Sequence, residues 1–92
     1  MIVNNVGLSK TNFEPDTSRH HADVTMNVTG PSGSNFDVSF PCFTHQPIDC
    51  PTTLVMFGLI KHATEQARNL PAFRGPKNAL QLDLENVRIN AA

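Results

Sequence analysis

Two runs of alternating apolar and polar residues, one on each side of a turn-forming segment, constrain the fold of this chain most. The first run covers residues 23–29 and the second covers residues 36–40, with Gly30-Pro31-Ser32-Gly33-Ser34 between them. Every second residue of each run is Val, Met or Phe, and the others are Asp, Thr, Asn or Ser. Because successive strand side chains point to opposite faces, this pattern predicts a β-hairpin with one apolar face and one polar face.

The segment from about Pro51 to Asn69 predicts the helix that covers the apolar face. Proline is favoured in a first helical turn, and either Asp49 or Thr52 is positioned to cap the helix. The apolar side of this helix consists of Met56, Leu59, Ile60, Ala63, Ala67 and Leu70. Leu54 and Phe57 fall on the polar side, so they need another cover, such as the preceding loop, the N-terminal strand or a partner chain.

The other strands are more weakly patterned. Residues 2–13 predict a weak strand at an edge of the sheet, followed by a loop from Asn12 to Arg19. After the helix, the alternating leucines of residues 80–84 predict the last strand. The apolar residues that follow, Val87 and Ile89, are at odd-numbered positions, whereas the leucines are at even-numbered ones. This change in the alternation predicts a bulge or break near Glu85-Asn86.

The resulting order, β-β-β-α-β, predicts a single α+β domain that spans residues 1–92. We expect a two-layer sandwich in which a mostly antiparallel four-stranded sheet carries one amphipathic helix packed on one face. A chain of 92 residues has the size of one domain. The crossover through the helix leaves open whether the last strand pairs in parallel or antiparallel.

Composition and missing motifs exclude several functional classes. A formal net charge of −1 argues against free nucleic acid or an anionic membrane as the main target. The chain lacks both a long apolar span and a secretion signal, so we expect a cytoplasmic protein, of the producing or infected host cell, with reduced cysteines. Glycine-rich phosphate loops, H-E-x-x-H pairs and G-x-S-x-G elbows are missing, so we expect neither catalysis nor a cofactor.

The segment between the hairpin and the helix carries a C-x2-H-x4-C array, whose side chains are typical zinc ligands. The candidate ligands are Cys42, His45 and Cys50, with Asp49, His20 or His21 as the fourth. His62 is too far along the helix to complete such a site. Three other interpretations are a Cys42–Cys50 disulfide, a nucleophilic Cys50 with His45 as its base, and two small buried hydrophobic residues.

Basic side chains on the helix and just after it predict a surface that contacts a partner. These residues are Lys61, Arg68, Arg74 and Lys77. They can contact phosphate or an acidic protein surface, but they are too few to form an electrostatic groove for nucleic acid. The favoured hypothesis is a small non-enzymatic protein-interaction module of the phage or prophage accessory or inhibitor type. It would sterically block or bridge a host protein or a protein–nucleic-acid complex; the alternative is a metal-binding or thiol-dependent protein that uses the Cys42/His45/Cys50 segment.

Two other surfaces are also candidates for contact. One is the polar face of the sheet, whose short side chains form hydrogen bonds at little entropic cost. Its predicted members are Thr25, Asn27, Thr29, Asp37, Ser39, Gln81 and Asp83. The other is an exposed edge strand, which would pair with a second copy of the chain in a homodimer. The second copy could also bury Leu54 and Phe57.

Overall fold

The predicted hairpin forms the centre of the fold in the computed structural model, which describes residues 1–75, 79–83 and 87–91. The strands are β1 (Ile2–Glu14), β2 (Arg19–Thr29), β3 (Asn35–His45) and β4 (Arg88–Ala91), and the helix α1 (Thr52–Arg68) is followed by a short 3-10 helix (Pro71–Phe73). Within these residues, α1 packs on a four-stranded, mostly antiparallel sheet. The predicted α+β sandwich is therefore confirmed.

The order of strands in the sheet is β3-β2-β1-β4. β1, β2 and β3 pair antiparallel, whereas β4 pairs parallel to β1, which answers the question that the sequence left open. The expectation that residues 2–13 form an edge strand is wrong, because β1 lies between β2 and β4. Two register shifts, between Val3 and Asn5 and between Ser9 and Asn12, interrupt the alternation of β1 and make its pattern look weak.

The first three strands extend beyond their predicted limits. β1 continues to Glu14 and β2 already begins at Arg19, so the predicted loop reduces to a turn over residues 15–18. β3 continues through Pro41 to His45, so much of the predicted connecting loop is strand. Proline is tolerated there because β3 is at the edge of the sheet, where a missing N–H need not cost a ladder hydrogen bond.

The prediction of the last strand is wrong in position. The strand is Arg88–Ala91, whereas the segment 79–83 forms an isolated parallel bridge in which Gln81 pairs with Ile2. Leu80 and Leu82 are half-buried against the core, which explains their alternation without a strand. Leu84 and the expected break at Glu85-Asn86 lie outside the described residues.

The core lies between α1 and the apolar face of β1, β2 and β3. The side chains with at most 1% exposure are Val6, Val24, Met26, Val28, Leu59, Ile60, Ala63 and Ala67. The predicted caps of the helix do not form: Pro51 is at the N-cap, and its carbonyl accepts hydrogen bonds from Leu54 and Val55. Among the described residues, no helix has the length and apolar character needed to cross a membrane.

Candidate functional site

The Cys/His array does not converge on one point. Alternation along β3 places Cys42 and His45 on opposite faces: Cys42 is 2% exposed in the core, whereas His45 is exposed. The Sγ of Cys42 lies 3.5 Å from the carbonyl oxygen of Phe40, to which it donates, and both cysteines are free. Cys50 is half-buried, and its thiol donates to Oε1 of Gln46. The described part of the chain contains no cluster of three or more His, Cys, Asp or Glu residues able to hold a metal ion.

The environment of Cys42 makes its thiol unreactive. Burial, and to a lesser degree the negative charge of Asp23, raises the pKa of the Cys42 thiol to about 11. Only the thiolate is a nucleophile or a metal ligand, so a thiol that stays protonated at neutral pH serves neither purpose. Cys42 therefore acts as a small core residue.

This raised pKa predicts a loss of stability at alkaline pH. Below pH 9, the ordinary pKa, Cys42 is protonated in both folded and unfolded chains. Between pH 9 and pH 11 the unfolded chain releases its proton while the folded chain retains it, so the free energy of unfolding falls, by about 2–3 kcal/mol in total. Urea denaturation at several pH values should show that the free energy of unfolding falls between pH 9 and pH 11 in the wild type, and falls less steeply in Cys42→Ala. An equally steep fall in the two proteins would contradict the raised pKa of Cys42.

Three positions of α1 pack against β3 and close part of its edge. Nδ1 of His62 accepts a hydrogen bond from the backbone N–H of Phe43 at 3.0 Å. Nε2 of Gln66 donates to the carbonyl oxygen of Pro41 at 2.8 Å, and Gly58 lies against the side chain of Thr44. These helix positions are four residues apart, so they form one stripe that faces β3.

His62 is the residue whose role the sequence interpretation missed. Its distance along the helix suggested that it was remote from the Cys/His segment, but α1 folds back alongside β3. The ring of Phe43 is therefore surrounded by His62 at 4.6 Å, His45 at 5.6 Å and His21 at 6.1 Å between ring centroids. The guanidinium of Arg19 lies 4.5 Å from the same ring centre, at a cation–π distance.

The adjacent histidines His20 and His21, which the sequence offered as fourth zinc ligands, are in β2. Nε2 of His20 lies 2.9 Å from the carbonyl oxygen of Pro47, and the His20 ring packs on Phe13 at 4.8 Å between centroids. Nε2 of His21 is 3.1 Å from Oε2 of Glu14, an ion-pair distance without the angles of a hydrogen bond. These contacts join the ends of β1, β2 and β3, so both histidines have structural roles.

The surface of α1 that faces away from the sheet combines apolar and charged side chains. We call it the outer helix face; its members are Leu54, Phe57, Lys61, Glu65 and Arg68, all of them exposed. Leu54 is 54% exposed and Phe57 is 40% exposed, so the described residues do not provide the cover that the sequence required. Lys61, Glu65 and Arg68 also line a groove between α1 and Leu80 and Leu82.

The predicted basic residues are only partly brought together. Lys61 and Arg68 line the same groove, whereas Arg74 lies beyond the helix, where its Nη2 donates to the carbonyl oxygen of Asn69 at 3.3 Å. Phe73, next to Arg74 in the sequence, is 4% exposed and belongs to the core. Lys77 lies outside the described residues.

The polar sheet face, defined as Asn4, Thr25, Asn27, Thr29, Asn35, Asp37 and Ser39, is internally hydrogen-bonded. Nδ2 of Asn27 donates to Asn35 and Asp37 at 2.8 Å each, and Oδ1 of Asn27 accepts from Asn4 at 2.9 Å. The hydroxyls of Thr25 and Ser39 are 2.6 Å apart. Because these groups satisfy one another, this face has less need of a partner than the outer helix face.

Comparison of the chain with protein-family models, with curated proteins and with solved structures finds no match. A functional proposal therefore depends on the geometry of this chain. Of the Cys/His segment, Cys42 faces the core and the Cys50 thiol bonds to Gln46, and the side chains of the polar sheet face bond to one another. On the outer helix face, exposed apolar and basic side chains occur together.

Proposed function

We propose that this chain is a non-enzymatic protein-interaction module whose outer helix face binds an acidic, partly apolar protein surface. The observation that supports the proposal is the presence of exposed Leu54 and Phe57 on the same side of α1 as Lys61 and Arg68. Large apolar side chains are normally covered, and a covered apolar centre with a charged rim is typical of protein–protein interfaces.

The two kinds of side chain have different tasks in such an interface. Removing the remaining exposed surface of Leu54 and Phe57 from water would contribute roughly 1 kcal/mol each to binding. Lys61 and Arg68 would add little net affinity at an exposed rim, but they would favour acidic partners and speed association. A partner with carboxylates next to aliphatic or aromatic side chains therefore fits this face best.

The mechanism that we infer is steric. A rigid helix and sheet occupy the partner's surface, so the module blocks or bridges a protein or a protein–nucleic-acid complex. A small accessory or inhibitor protein of the phage or prophage kind would act in this way. Arg74, which lies just beyond the helix, would extend the contact to carboxylates or phosphates of the same complex.

Charge reversal in the groove tests this proposal. The immobilised wild-type chain should select, from a random peptide library displayed on yeast, peptides that combine Asp or Glu with Leu, Phe or Trp. The double variant Lys61→Glu/Arg68→Glu should bind these peptides at least about tenfold more weakly, because like charges then face each other. Surface substitutions of this kind should leave the thermal unfolding midpoint close to that of the wild type.

The matched control is Glu65→Lys, which changes the charge of the same groove in the opposite direction. It should keep or strengthen binding of the acidic peptides, and high salt should weaken binding by the wild type. Equal peptide binding by the wild type and the Lys61→Glu/Arg68→Glu variant would refute the proposed surface. Selection of peptides without acidic residues would refute the proposed partner chemistry.

A further inference from the structure

Only part of the β3 edge is closed by α1. The N–H of Phe43 and the carbonyl of Pro41 point away from β2, because they bond to His62 and Gln66 of α1. In an antiparallel strand this direction repeats every second residue, so Asp37 and Ser39 also direct their N–H and C=O groups away from β2. β3 is the outermost strand of the order β3-β2-β1-β4, so these groups lie at a sheet edge in the part of the chain that the structure describes.

Residues 35–40 have few of the features that protect an edge strand. Prolines, lysines and bulges commonly prevent edge-to-edge pairing, and here a proline and the helix protect residues 41–44. Residues 35–40 pair with β2 in continuous register and contain one charge, that of Asp37. On the helix side of the sheet, Phe36 and Val38 next to this edge are only half-buried.

We propose that this open edge pairs antiparallel with the same edge of a second copy, which forms a two-fold dimer with a continuous sheet. The side chains favour the register in which Val38 lies opposite its own copy. Phe36 then faces Phe40 of the other chain on the helix side, so apolar side chains meet apolar ones. On the polar side, Asp37 faces Ser39 of the other chain, and by symmetry this carboxylate–hydroxyl pair occurs twice.

Two neighbouring registers also keep the same faces together, and both are less favourable. One places Asp37 opposite its own copy, and like charges directly opposite each other destabilise a strand pair. The other pairs Asp37 with Pro41, which has no N–H to donate and whose carbonyl already bonds to Gln66. The Val38 register provides four backbone hydrogen bonds, two for each pairing of residue 37 with residue 39. Pairing cannot extend far beyond Pro41, because Gln66 and His62 already occupy the edge there. The short contact implies a reversible dimer, and it leaves the outer helix face free.

A proline at position 39 tests the pairing. The N–H of Ser39 points away from β2, so Ser39→Pro removes a donor of the proposed dimer while keeping the hydrogen bonds between β2 and β3. Ser39→Ala is the matched control, because both variants lose the hydroxyl contact with Thr25 but only the proline loses the N–H. Sedimentation equilibrium of the full chain should show that Ser39→Pro raises the dimer dissociation constant at least about tenfold relative to Ser39→Ala.

Disulfide trapping tests the register. In a Cys50→Ser background, Val38→Cys should form an intermolecular disulfide on oxidation, because residues opposite each other in a non-hydrogen-bonded pair bring their Cβ atoms close. Asp37→Cys in the same background should form far less of this disulfide, because residue 37 lies opposite residue 39 of the other chain and not opposite its own copy. A wild-type chain that stays monomeric over the whole micromolar range would overturn the proposal, as would a dimer that Ser39→Pro leaves intact. More trapping at position 37 than at position 38 would overturn the register.

Discussion

Replacing Gly58 with leucine should destabilise the fold by roughly 3 kcal/mol, although leucine is a much better helix former than glycine. A Cβ at position 58 would lie 2.9 Å from the Cβ of Thr44 and 3.3 Å from its Cγ2. The Cβ of Thr44 is fixed by the β3 backbone, so α1 or the edge strand must move. Either movement would strain the hydrogen bonds of His62 and Gln66 to β3. Urea denaturation monitored by circular dichroism measures the loss.

The control for this substitution places the same side chain at an exposed position of the same helix. Thr53 is exposed, so Thr53→Leu should change the free energy of unfolding by no more than about 0.5 kcal/mol. Unchanged or increased stability of Gly58→Leu would show that α1 does not approach β3 as closely as described. Equal losses in the two variants would show that the new leucine, and not its contact with Thr44, is responsible.

Truncating Leu59 to alanine should cost about 2–5 kcal/mol, because its side chain is 1% exposed between α1 and the sheet. The loss combines the transfer of apolar atoms from the core with the cavity that they leave. For a domain of this size, this is a large fraction of a total stability of about 5–15 kcal/mol. The midpoint of urea denaturation should therefore fall sharply.

Leu54→Ala provides the comparison within the same helix. Leu54 is 54% exposed, so its truncation should leave the free energy of unfolding almost unchanged but weaken peptide binding by the outer helix face. Comparison of the two variants would then show that Leu59 is needed for stability and Leu54 for peptide binding. A large loss of stability in Leu54→Ala, or none in Leu59→Ala, would mean that the orientation of α1 on the sheet is different.

The parts of the fold that sequence patterns predicted are those with regular periodicity. Val24 and Met26 alternate without interruption, and in the structure they face Phe40 and Val38 across the hairpin. The predicted helix limits, Pro51 and Asn69, differ from the observed ends by one residue each. β1 was misplaced at an edge because its two register shifts break the alternation that would have identified a central strand.

The candidate site was less predictable because it depends on contacts between elements. The spacing of Cys42 and His45 looks suitable for a metal, but extension of β3 through Pro41 sends the two side chains to opposite faces. The approach of His62 to Phe43 follows from the direction in which α1 returns, which no local pattern specifies. The glycine at position 58, one turn before His62 and on the same stripe, was the available signal for a close contact.

The parallel pairing of β4 with β1 has a consequence for the order of folding. It joins Val6 to Ile89, residues from opposite ends of the sequence, whereas β1, β2 and β3 are linked by short turns. Closing a long loop costs more entropy and is slower than closing a hairpin, so the three-stranded meander can form before β4 is in place. During synthesis, β1 is therefore a temporary edge that remains open until β4 leaves the ribosome.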